Sequence, residues 1–92
     1  MLYTPLTVQN HFSADVRIEL RAEGQIVDVA SIGPNEIILR DFQDIGICDA
    51  EIAMFIDGIE FLWPVRLPEG AVPFASDVYM VPRGPMVRVM SS

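Results

Sequence analysis

The sequence predicts an all-β fold: a small antiparallel barrel of six to eight strands, closed or partly open, with little or no helix. Three observations lead there. Short runs rich in Val, Ile, Phe and Tyr recur along the chain, seven prolines and six glycines punctuate them, and residues 16–23 alternate apolar and charged side chains with period two. Of the 92 residues, 51% are hydrophobic and 21% charged, a globular composition at a length that suits one domain over residues 1–92. A sheet this small buries its apolar face best by closing on itself.

Leu2 to Gln9 reads as a first strand with Pro5 on its free side. In the next run Val16, Ile18, Leu20 and Ala22 face inward, while Arg17, Glu19, Arg21 and Glu23 face outward. Gly24 permits a tight reversal, and Ile26 to Ile32 is the returning strand. Gly33-Pro34-Asn35 makes the next turn, Gly for its freedom at positive φ and Pro for its fixed φ, and Glu36 to Phe42 follows as a strand.

Asp57-Gly58 lies between two apolar runs, and such a dipeptide is a preferred two-residue hairpin connection. Register follows from it. Ile56 faces Ile59, Met54 faces Phe61, Ile52 faces Trp63 and Ala50 faces Val65, all apolar and so assigned to the core. The reverse side pairs Phe55 with Glu60, Ala53 with Leu62 and Glu51 with Pro64. A one-residue slip would expose Trp63 and Phe61. Pro64 has no N–H to donate, which predicts an edge or a bulge there. Pro68-Glu69-Gly70 turns the chain and Ala71 to Ser76 is a loop; a single helical turn over Ala75 to Tyr79 is the alternative. Val78 to Val81 is expected to pair with Met86 to Met90 across Pro82-Arg83-Gly84-Pro85.

The charge narrows the function classes. Thirteen carboxylates against six arginines and no lysine give −7, a balance that repels phosphate backbones, so no nucleic-acid partner is expected. One cysteine excludes an intrachain disulfide and a cysteine-rich zinc site, and suits a reducing, cytoplasmic compartment. No apolar run reaches the length of a membrane helix and none resembles a leader, so neither a membrane span nor a signal peptide is expected. Arg-only cationic usage with abundant Ala, Val, Gly and Pro suggests a GC-rich bacterial genome.

Catalytic chemistry finds little support. His11 and Cys48 are the lone histidine and cysteine, and nothing local pairs them as base and nucleophile. Asp41, Asp44, Asp49 and Glu51 supply oxygen ligands at high density, but their spacing fits no EF-hand loop and a solvated surface explains them more simply. No phosphate loop, nucleophile elbow or zinc-protease motif occurs. We therefore expect a protein that is not an enzyme and needs no cofactor or metal.

The segment Ile26-Val27-Asp28-Val29-Ala30-Ser31-Ile32-Gly33 resembles the signature strand of PilZ domains, Asp-x-Ser-x-x-Gly, with Asp28 and Gly33 matching and Ala30 where the family has Ser. The likeness covers about residues 14–67. It implies a six-stranded barrel and, in many members, binding of cyclic di-GMP. Arg17 and Arg21 have the spacing of the family's Arg-x-x-x-Arg motif, but they sit in the charged phase of a strand instead of on a loop upstream of it. The resemblance therefore implies a PilZ-like barrel that has lost the nucleotide site; a cyclic di-GMP sensor using Arg17, Arg21, Asp28 and Gly33 is the alternative.

The positive functional signal is surplus apolar surface. Phe55 and Leu62 share the reverse side of the central hairpin, and Met80, Met86 and Met90, with Phe74 and Tyr79, crowd the C-terminal region. Exposed apolar patches mark contact sites, and Met suits adaptable ones. The competing reading is that a C-terminal strand folds over the barrel and covers them. The expected function is a non-catalytic interaction or adaptor module, either self-associating (a dimer is one form), docking on a protein partner or serving in a larger assembly.

Overall fold

The computed structural model describes residues 16–89, which form an all-β, nearly closed antiparallel barrel. Its strands are β1 (Val16–Ala22), β2 (Gln25–Ile32), β3 (Glu36–Leu39), β4 (Cys48–Ile56), β5 (Ile59–Leu67), β6 (Asp77–Tyr79), β7 (Val81–Pro82) and β8 (Val87–Arg88). Across the sheet the order is β6-β3-β2-β1-β4-β5-β7, with β8 also on β5. The expected strand over Leu2 to Gln9 lies outside the described residues.

The central hairpin takes the register read from its sequence. Ile56 pairs with Ile59, Met54 with Phe61, Ile52 with Trp63, Ala50 with Val65, and the alternate residues pair as expected. Asp57 and Gly58 both have positive φ, as the two-residue connection demands, and Glu23-Gly24 closes the β1–β2 hairpin in the same way. Burial is graded along the hairpin. Ile52 and Val65 are fully buried, Met54 and Trp63 pack against the core from partly buried positions, and Ile56, Ile59 and Phe61 near the tip are only half-buried.

Closure comes from the C-terminal segment. β6 pairs with β3, and one residue later β7 pairs with β5, so residues 77–82 join the two edges of the sheet. Met80 stands at the switch. Its N–H donates to the Asn35 carbonyl at 2.9 Å, and its side chain is fully buried with Leu20, Ile37, Ile52 and Leu67.

Four expectations are corrected here. The C-terminal strands do not pair with each other: β7 lies on Val65 and Arg66, and β8 on Phe61 and Leu62. The reason is the open edge of β5, which both strands take up, and Pro64, lacking an N–H, separates the two pairings. Residues 83–86 bulge past it, with the Arg83 N–H donating to the Pro64 carbonyl at 2.9 Å and the Trp63 indole N–H to the Gly84 carbonyl at 3.1 Å. Residues 75–79 hold no helical turn, because β3 recruits Asp77–Tyr79 as a strand. β3 stops at Leu39, short of Phe42, where Asp41 and Phe42 are both exposed. Gly33 has no positive φ, and a Cβ there would make only ordinary contacts with Glu36.

At one end of the barrel, loops 40–47 and 68–76 are stapled together. Ile45 and Ala71 exchange both backbone hydrogen bonds, at 2.9 and 2.8 Å, and both residues are buried. Gly70 makes this approach possible. Its φ is +63°, and a Cβ would collide with the Ile45 carbonyl and crowd the Gly46 backbone. Gly24, at φ +77°, has open space where its Cβ would go. The two glycines therefore predict different costs. Gly24→Ala should lose about 1–2 kcal/mol for the left-handed backbone alone, and Gly70→Ala about 3 kcal/mol or more, because the staple must also part. Urea unfolding measures both, and equal midpoints for the two variants would refute the staple.

Candidate interaction surfaces

The outer face of β1, β4 and β5 carries a charge network built by strand alternation. In register, Glu19 lies between Asp28 of β2 and Ala53 of β4. Two carboxylates directly across a ladder repel. Arg17 and Arg21, two residues either side of Glu19, answer that repulsion at 3.7 and 3.4 Å from its carboxylate. Arg21 also reaches Glu60 on β5 at 3.3 Å. Both guanidinium groups lie over the Phe55 ring, at 4.4 Å for Arg17 and 5.9 Å for Arg21, a cation–π arrangement that covers its face. Ala53, flanked by these residues, is fully buried although it points away from the barrel interior.

The reverse side of the hairpin is thus less bare than its sequence suggests. Phe55 is half-buried under the arginines, and Leu62, also half-buried, has Val87 of β8 as its cross-strand neighbour. Met80 belongs to the core and offers no surface, a correction that follows from its place at the closure. Met86 is 40% exposed, whereas Met90 lies outside the described residues. The C-terminal strand does fold onto the barrel, though it covers the edge of β5 more than its outer face.

Beyond Glu19↔Asp28 the β1–β2 pairing ends while each strand continues on its other neighbour. A slot of about 320 Å³ opens there, lined by Val16, Arg17, Ile18, Asp28, Val29, Ala30 and Arg40. A bulge in β2 between Val29 and Ser31 shapes this side. The slot brings Arg17 and Asp28 together with Arg40, which sequence spacing did not single out. Arg21 lines a separate shallow groove with Asp49, Glu51 and Arg83, and Gly33 sits at the β2–β3 turn, where its N–H donates to the Glu36 carbonyl at 2.8 Å.

Cys48 opens β4 half-buried. Desolvation, reinforced by the charges of Glu23 and Asp49, pushes its thiol pKa up, which favours the protonated, unreactive form. His11 is outside the described residues. Among the described residues no His, Cys, Asp and Glu side chains gather as a metal site, and no helix is long and apolar enough to cross a membrane.

The largest exposed apolar side chains lie elsewhere. Phe74 is 77% exposed, Ile26 67%, Ile47 63% and Phe42 60%. All four belong to the end of the barrel where β1, β3 and β5 finish and β2, β4 and β6 begin. Phe42 and Phe74 flank the stapled loops, which run antiparallel from Leu39 N–H on Ser76 carbonyl (2.8 Å) to the Ile45–Ala71 bridge. Its sequence position suggested that Phe74 belongs to the C-terminal crowding; the fold puts it on the loop stapled to the one that carries Phe42.

No family model matches the chain, and no curated protein and no solved structure proved similar to it.

The charge network predicts a non-additive response. Arg21→Met should cost about 1–2 kcal/mol, since it leaves Glu60 without its cation and Glu19 opposite Asp28 with one cation fewer, in a partly solvated setting. Adding Glu60→Gln should restore part of that loss in a double-mutant cycle by urea unfolding. Strict additivity would show that the Arg21–Glu60 contact has no energetic weight.

Proposed function

We propose that this protein is a non-catalytic interaction or adaptor module, a PilZ-like barrel without a working nucleotide site, that docks through its loop end. The observation that carries the reading is that Phe42, Ile47 and Phe74, on the loops held by the Ile45–Ala71 staple, and Ile26, at the start of β2 on the same end of the barrel, are all more than half exposed. The two phenyl rings alone leave roughly 250–300 Å² of apolar surface in water. Covering it would gain on the order of 7 kcal/mol before the costs of association.

The slot favours a second reading, a cyclic di-GMP sensor, because Arg17 and Asp28 of the PilZ-like motifs both line it and Arg40 adds a cation. Against it stand the engagement of Arg17 with Glu19 and Phe55 and the separation of Arg21 from the slot. A guanidinium already stacked and paired is poorly placed to clamp a phosphate.

Two measurements test these readings. A photo-crosslinking residue at position 74 should give discrete adducts in the native cell, identified by mass spectrometry, while one at Ser31, near the opposite end of the barrel, should not; no adducts above the Ser31 control would sink the interaction reading. Calorimetric titration with cyclic di-GMP should show no heat at high micromolar ligand. A saturating signal abolished by Arg17→Gln would put the sensor in its place.

A further inference from the structure

We propose that the loop end of the barrel docks a cationic protein segment, its apolar side chains seated on Phe42 and Phe74 and its Lys or Arg side chains facing the surrounding carboxylates. This rests on the interaction-module reading and adds to it the chemistry of the partner. The three connections at this end, residues 23–24, 40–47 and 68–76, carry Glu23, Asp41, Asp44 and Glu69 against a single cation, Arg40. All four carboxylates are exposed. The ion pairs among the described residues use Glu19, Glu60 and Asp49 instead, so none of the four is neutralised by one. Glu23 accepts one hydrogen bond, from the Gly46 N–H at 3.3 Å. The end therefore combines exposed apolar side chains with an excess of exposed carboxylates.

That combination discriminates among occupants. A second copy in a two-fold contact would set these carboxylates against their twins, because such an interface uses the same patch on both subunits. An anionic lipid surface meets the same repulsion. A basic segment gains from both features of this end, apolar contact with the exposed rings and charge complementarity with the carboxylates.

The probes are two fluorescein-labelled amphipathic peptides of equal length, one of Lys and Leu and one of Glu and Leu, titrated by anisotropy against the intact chain. The Lys–Leu peptide should bind saturably and more weakly as salt rises, and the Glu–Leu peptide should not bind. The double variant Phe42→Ser/Phe74→Ser keeps every charge and should weaken binding about tenfold or more, with circular dichroism unchanged. Unweakened binding by that variant would mean that charge alone attracts the peptide and would overturn the proposal, as would binding of the Glu–Leu peptide. A dimer seen by light scattering and abolished by Phe74→Ser would also overturn it, yet would leave the interaction module standing. Absence of any crosslink at position 74 removes the module itself, so the two failures are distinguishable.

Discussion

Everything in this fold depends on one crossing, the passage of residues 77–82 from the edge of β3 to the edge of β5. A twisted sheet left open would present two rows of unpaired backbone groups and a half-covered apolar face. The crossing reduces both at once. Met80 makes it possible by inserting a flexible, fully buried side chain where β6 passes into β7, while its N–H is satisfied by the Asn35 carbonyl. The interior therefore needs no helix to cover it, and the loops are free to serve other ends.

What could be read from the sequence was local. β1, β2 and the β4–β5 hairpin follow from period-two alternation and from a dipeptide whose backbone preference sets the register. The C-terminal strands were not legible in the same way. Their partners lie at least fifteen residues away along the chain and are chosen by which edges remain open, a property of the assembled sheet. The role of Pro64 was half visible: its missing N–H announced a break on β5, but not that residues 83–86 would bulge past it.

The same division holds for the candidate surfaces. Arg17 and Arg21 could be placed outside from alternation, and Glu19 between them announced partial self-neutralisation. Their coverage of Phe55 required knowing that β4 lies beside β1. The apolar loop end had no periodic signal at all. Phe42 and Phe74 stand in irregular segments, 32 positions apart in the chain, and only the strand order brings them to one end. A motif search has no hold on such a patch.

The staple gives that patch its physical sense. Loops that carry large apolar side chains into water ordinarily lower their exposure by collapsing onto the nearest core, and free loops also pay an ordering cost when they bind. Here the Ile45–Ala71 bridge, possible only with glycine at position 70, fixes the connections before any partner arrives. Ile45 and Ala71 turn inward and complete the core, which leaves the neighbouring Phe42 and Phe74 outside. One contact thus does two things: it seals the end of the barrel and holds the exposed rings on ordered backbone. Preorganisation of this kind lowers the entropy lost on association, so a small patch can bind with more of its apolar area converted to affinity.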